Sequence, residues 1–81
     1  MIVSYDSHSH IVYIQVDSLP PSRRKMVEFD AYTILEVGEQ GGLVAIEMLK
    51  PGKVILNRIA KKFGRWELGR VSLESLKKAL D

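Results

Sequence analysis

Residues 34–49, with the sequence ILEVGEQGGLVAIEML, contain two apolar runs separated by a segment with three glycines. Glycine adopts positive φ at no steric cost, which suits a turn between two strands. The segment therefore predicts an antiparallel β-hairpin of residues 34–37 and 43–49. Strict alternation in its second strand places Val44, Ile46 and Met48 on one face and Leu43, Ala45 and Glu47 on the other.

The residues before this hairpin also form short apolar runs. Residues 2–5 and 11–16 alternate, and the polar segment between them predicts a second hairpin whose turn is capped by the Asp6 side chain. Pro20 and Pro21 end that hairpin, because proline cannot donate to a strand ladder. A third run contains Val27 and Phe29, and residues 31–37 continue as a strand. About five short strands are expected within residues 2–49.

The hydrophobic period changes after residue 52. Within residues 53–63, apolar side chains recur at three- and four-residue spacing, which predicts an amphipathic helix, with Gly64 at its C-terminal cap. A second helix is predicted over residues 73–80, with Ser72 as its N-cap. Residues 65–71 are expected to be an irregular loop or a short strand. The fold class predicted is α+β, a mostly antiparallel β-meander followed by one or two C-terminal helices.

Composition describes one small domain, residues 1–81, with a sheet in 2–49 and a basic helical part in 50–81. The chain has 81 residues, no cysteine, 46% hydrophobic residues and a net charge of +2. These values exclude a disulfide and a thiolate metal site, and no apolar run reaches the roughly 18 residues of a transmembrane helix. No secretory signal is expected, so we interpret the protein as cytoplasmic. One asparagine, two glutamines and many charged residues suit a thermophile.

Two segments resemble a known family. Tyr5-Asp6 followed by Tyr13-Ile14, together with the strand of residues 43–49, is similar to the small prokaryotic proteins of domain-of-unknown-function family 2283. The resemblance covers about residues 2–50 and selects Tyr5, Asp6 and Glu47. It departs from the family pattern at His10 and Ala45. It implies a small sheet protein without an established activity, and an antitoxin-like protein that binds a partner.

The sequence gives little support for a metal site, a catalytic nucleophile or a phosphate-binding loop. His8 and His10 could begin a metal site with Asp6, but zinc needs further ligands, so solvated turn residues are the preferred interpretation. No nucleophile motif accompanies the histidines. The glycine-rich segment opens a strand and lacks the lysine of a phosphate-binding loop. We expect no catalytic residue, no metal, no cofactor and no enzyme activity.

Charge is distributed unevenly along the chain. Residues 1–49 hold three basic and seven acidic residues (net −4), whereas residues 50–81 hold nine basic and three acidic residues (net +6). An acidic sheet and a basic tail favour contact with a second copy or with a small partner protein. A protein-protein interaction or self-associating module is therefore the first function hypothesis. The alternative is a nucleic-acid-binding module that uses the basic C-terminal third, with contacts from Lys61, Lys62, Arg65, Trp66 and Arg70.

Overall fold

The computed structural model describes residues 1–73. Five strands form one antiparallel sheet, and a helix follows them, so the predicted α+β class is confirmed. The strands are β1 (Ile2–Asp6), β2 (Ile11–Gln15), β3 (Arg24–Asp30), β4 (Thr33–Gly38) and β5 (Leu43–Met48). The helix α1 covers Lys53–Phe63, and short 3-10 helices cover Pro21–Arg23 and Trp66–Arg70.

The strand order is β1-β2-β5-β4-β3. The hairpin β1–β2 and the three consecutive strands β3–β4–β5 are each joined by short connections, and β2 pairs with β5 to unite them. The chain therefore crosses from β2 to the far edge of the sheet before it returns to the centre. As a result β5, the most apolar strand, lies in the middle, and β1 and β3 are the two edges.

The hairpin β4–β5 is confirmed, but its faces differ from strict alternation. Its register shifts between Glu36 and Val37, so that Val37 pairs with Leu43 and Glu36 pairs with Ala45. This β-bulge inserts one extra residue and reverses the side to which Leu43 points. Leu43 joins the hydrophobic core, together with Ile46 and Met48. The prediction that placed Leu43 opposite to Ile46 was therefore wrong, because one inserted residue changes the parity of a strand.

The hydrophobic core lies on one face of the sheet, against α1. One row of paired residues crosses all five strands on this face: Val3, Ile14, Ile46, Leu35 and Val27. From the helix, Leu56, Ile59 and Ala60 are buried against it, as the apolar spacing predicts. Gly64 ends the helix with φ 67°, and the cap N–H bonds Ala60 O, which confirms the predicted cap.

The segment that follows α1 is a 3-10 helix, Trp66–Arg70, and neither a loop nor a strand as expected from sequence. Its Leu68 is fully buried in the same core, with Val71 and Leu73 beside it. The helix predicted over residues 73–80 lies outside the described residues except for Leu73. Within residues 1–73, no helix combines the length and hydrophobicity required to span a membrane.

Candidate functional site

The face of the sheet opposite α1 is the first candidate surface, and we name it the open face. It consists of two rows of directly paired residues, since paired residues in an antiparallel sheet point to the same side. From β1 to β3, the first row contains Ile2, Gln15, Ala45, Glu36 and Met26. The second row contains Ser4, Tyr13, Glu47, Ile34 and Glu28. Of these side chains, Ile2, Met26 and Ile34 are exposed by 62%, 59% and 37%, so no element of residues 1–73 covers them.

A polar cluster from three strands lies within the open face. The Nη1 atom of Arg24 is 3.4 Å from Oε1 of Glu36, and these side chains are only 18% and 13% exposed. Burial raises the pKa of the Tyr13 phenol, and hydrogen bonding to Glu36 raises it further, whereas Arg24 acts in the opposite direction. A phenol with a raised pKa stays protonated and is a poor base. The cluster therefore stabilises the sheet and offers little acid–base chemistry.

Beside this cluster, the open face contains a groove of about 330 Å³. Its lining is apolar, with three carboxylates and no lysine or arginine: Ile11, Met26, Glu28, Asp30, Ala31, Tyr32, Thr33, Ile34, Glu47, Met48 and Leu49. Asp30 is engaged locally, because its Oδ1 accepts a hydrogen bond from Tyr32 N at 2.8 Å. Glu47 is half-buried in the middle of the sheet. The groove joins an apolar floor to negative charge at the β3 edge.

On the other side of the molecule, α1 presents a positively charged surface, which we name the basic face. The helix contains Lys53, Arg58, Lys61 and Lys62 and no acidic residue. Within residues 1–73, none of these four cations is in an ion pair. Arg58 and Lys62 lie over the Phe29 ring, at 5.4 Å and 6.0 Å from its centroid. Cations without carboxylate neighbours create a positive potential that attracts acidic partners.

The five residues predicted for nucleic-acid binding occupy the end of α1 and the following 3-10 helix. Lys61, Lys62 and Arg70 are exposed, and the Trp66 side chain is 68% exposed, which is unusual for a sole tryptophan. Arg65 differs from the others. Its Nη2 donates to Val16 O at 3.1 Å, and its Nε donates to Glu67 Oε1 at 2.6 Å. Arg65 therefore supports the fold and is not a free cation.

The histidine segment forms the β1–β2 turn. His10 N donates to Asp6 O at 2.7 Å, and His10 adopts φ 62°. Asp6 Oδ1 accepts from His8 N at 2.9 Å, which confirms the predicted turn cap. Hydrogen bonding from Ser9 and from His8 N–H lowers the pKa of the Asp6 carboxyl. His10 Nδ1 is 3.0 Å from Tyr5 OH, and residues 1–73 contain no cluster of three or more potential metal ligands.

Sequence reasoning missed two features of these surfaces. The Tyr13, Arg24 and Glu36 cluster and the groove combine residues from separate strands, and only the strand order brings those strands together. The alternation of Glu28 with Val27 and Phe29 was the one available signal, because it indicates a strand with a polar face. Comparison of the chain with protein-family models, with curated proteins and with solved structures finds no match.

Proposed function

We propose that this chain is a non-enzymatic, self-associating protein-interaction module, and that the part of its open face next to β3 belongs to the contact surface. The observation that carries the proposal is a five-stranded sheet with α1 on one face and exposed apolar side chains, Met26 and Ile34, near the β3 edge of the other. A contiguous exposed apolar patch is typical of an interaction surface, and Met26 and Ile34 line the same groove. The carboxylates at the rim of the groove add polarity, as at the rim of a protein interface.

Size supports association. A domain of 81 residues buries only about 60% of its unfolded surface, so its own core provides limited stability. Contact with a second copy would remove further apolar surface from water. The absence of cysteine suits a reducing compartment, and we place this module in the cytoplasm.

Three titratable groups have pKa values shifted away from neutral pH. Among residues 1–73, the pKa is lowered for the carboxyl groups of Asp6 and Glu67 and raised for the phenol of Tyr13. Hydrogen bonding from Arg65 is the main cause of the lowered pKa of Glu67. A general base or acid near neutral pH needs the opposite shifts. These groups are therefore held in forms that suit structure and solubility.

Sedimentation velocity of the wild-type protein tests self-association directly. We expect the weight-average mass to rise from one chain toward two as concentration increases, because a small interface dissociates on dilution. A single species of 9.2 kDa at every concentration would contradict the proposal.

A second function, binding of single-stranded nucleic acid, is favoured by one observation on the basic face. Trp66 is 68% exposed and belongs to the same segment of the chain as the exposed Lys61, Lys62 and Arg70, so its ring is free to stack on a base. Titration with mixed DNA and RNA should quench Trp66 fluorescence, and the quenching should weaken as salt increases. The double variant Lys61→Gln, Lys62→Gln should reduce this quenching. Arg23→Gln should leave it unchanged, because Arg23 is an exposed cation outside the basic face and is paired with Glu39. Unchanged Trp66 emission at low salt excludes this function.

A further inference from the structure

We propose that two copies of this chain associate through strand β3, which pairs antiparallel with β3 of the second copy and places Met26 on the two-fold axis. This inference rests on the self-association proposed above and specifies its surface. The two five-stranded sheets would become one continuous sheet of ten strands. Their open faces would lie side by side, and the two grooves, each lined by Met26 and Glu28, would adjoin the axis.

Strand β3 is an edge of the sheet with an accessible side. Among the described residues 1–73 it pairs only with β4, so half of its backbone N–H and C=O groups face away from the sheet. Its residues 25–28 are all exposed, and Met26 and Val27 are exposed by 59% and 39%. An exposed edge with apolar side chains is a template for another strand.

The charges of β3 make it complementary to itself when it runs antiparallel. The strand begins with Arg24 and Lys25 and has Glu28 after the apolar Met26 and Val27. With Met26 on the axis, residues equally far before and after it lie opposite one another. Arg24 then faces Glu28 of the second copy, and the symmetry produces this pair twice. Opposite charges directly across two strands stabilise their pairing.

Neighbouring registers are less favourable. An axis on Lys25 would place Lys25 opposite itself, and like charges directly across two strands destabilise a sheet. An axis on Val27 would place Met26 opposite Glu28 and would extend the ladder over Phe29. At Phe29 the register of β3 with β4 shifts between Glu28 and Asp30, which disrupts regular pairing. Only the axis on Met26 ends before this irregularity and brings opposite charges together.

Arg24 has donors available for a second carboxylate. Its Nη1 lies 3.4 Å from Glu36 and makes no hydrogen bond with the described part of the chain, although the atom is buried. A guanidinium group carries five N–H donors, so it can serve Glu36 and a further acceptor on the open face. Within residues 1–73, Glu28 makes no ion pair. Both members of the proposed pair therefore retain unused capacity.

The basic faces of the two copies do not oppose this arrangement. Arg58 and Lys62 lie over Phe29, three residues beyond the axis. The two Phe29 residues would be six residues apart along the paired strands, which is about 20 Å. This separation is about two Debye lengths at physiological salt, so the repulsion is largely screened.

The other edge, β1, lacks this complementarity. Its five residues contain one charged side chain, Asp6, and no cation. Pairing of β1 with itself therefore produces no ion pair. Pairing of β1 with β3 of another copy is a head-to-tail contact, which leaves free edges and grows into a filament. A closed dimer through β3 leaves only the two β1 edges, each of five residues, exposed.

The test compares matched aspartate substitutions on the two edges by sedimentation velocity, from about 10 to about 500 µM, the range in which a small interface assembles. Met26→Asp would place two carboxylates together at the axis and should raise the dimer Kd at least about tenfold. Ile2→Asp is the control, because Ile2 is equally exposed on the open face, at edge β1. Circular dichroism confirms that both variants retain the sheet.

A disulfide provides a second measurement, since the chain contains no cysteine. Met26→Cys should form a covalent dimer upon mild oxidation, because Cβ atoms of directly opposed residues, about 5 Å apart, need to approach by only about 1 Å to reach disulfide geometry. Ile2→Cys should form little covalent dimer under the same conditions.

The outcomes separate this inference from the proposed function. A wild-type dimer that Met26→Asp dissociates and Ile2→Asp preserves supports pairing through β3. A wild-type dimer that Met26→Asp leaves intact overturns that pairing but leaves self-association standing. Association into long polymers indicates β1–β3 contacts and also overturns it. A monomer at every concentration overturns both.

Discussion

Replacement of Arg65 by alanine should lower the stability of the domain, although Arg65 belongs to the basic stretch that the sequence predicts to bind nucleic acid. Its guanidinium joins the segment after α1 to the end of β2, through a 3.1 Å hydrogen bond to Val16 O. A hydrogen bond from a charged group contributes about 1.5–3 kcal/mol. The Arg65 side chain is 32% exposed, so water weakens the bond, and the lower value of about 1.5 kcal/mol applies. For a domain of this size, that loss lowers Tm by about 6–12 °C.

Thermal and urea unfolding, followed by circular dichroism, measure this effect. Lys61→Ala is the matched control, because Lys61 is exposed four residues earlier and its removal should change the free energy of unfolding by less than about 0.5 kcal/mol. Arg65→Lys retains the charge but loses the planar guanidinium group, whose nitrogens contact Val16 and Glu67 at the same time. Its Tm should therefore be close to that of Arg65→Ala. Equal Tm values for Arg65→Ala and Lys61→Ala would refute the structural role of Arg65.

Three further substitutions test the fold. The buried Thr33 Oγ1 has no hydrogen-bond partner within residues 1–73, so Thr33→Val should raise the free energy of urea unfolding by about 1 kcal/mol; a decrease would contradict this. Gly64 has φ 67°, so Gly64→Ala should lower Tm by an amount equivalent to about 1 kcal/mol, whereas Gly42→Ala, without a positive φ or a close neighbour, should lower it much less. The pKa of Tyr13 is raised above its ordinary 10.0. The contribution of Tyr13 to folding stability is therefore fully present below pH 10 and declines as pH rises through the folded pKa. Urea midpoints should decline less steeply above pH 10 in Tyr13→Phe, and an unchanged slope would exclude this cause.

The β4–β5 hairpin shows how far sequence patterns reach. The glycines of residues 38–42 and the apolar runs beside them indicate a hairpin, and the structure has one at Thr33–Gly38 and Leu43–Met48. The bulge between Glu36 and Val37 was not predictable, because an inserted residue leaves the amino-acid pattern unchanged. It determines that Leu43 points into the core.

The basic stretch was also predictable from the sequence only in part. Lys61, Lys62, Trp66 and Arg70 are exposed, in agreement with the basic stretch that the sequence indicates. Arg65 belongs to the same basic stretch, yet its contact with Val16 spans 49 positions. No local pattern distinguishes a free arginine from one that binds a distant carbonyl group.

Local periodicity alone determined the helix Lys53–Phe63 and its glycine cap, because i, i+4 hydrogen bonding and side-chain spacing depend on adjacent residues. Alternation likewise determined that the first half of the chain forms strands. Only the tertiary structure decided which strands become neighbours and which become edges. It also brought together the side chains of Tyr13, Arg24 and Glu36. Pairing between distant strands depends on the whole sheet, since each strand can pair on two sides. The position of β3 at an edge, with its charges exposed, follows from that choice.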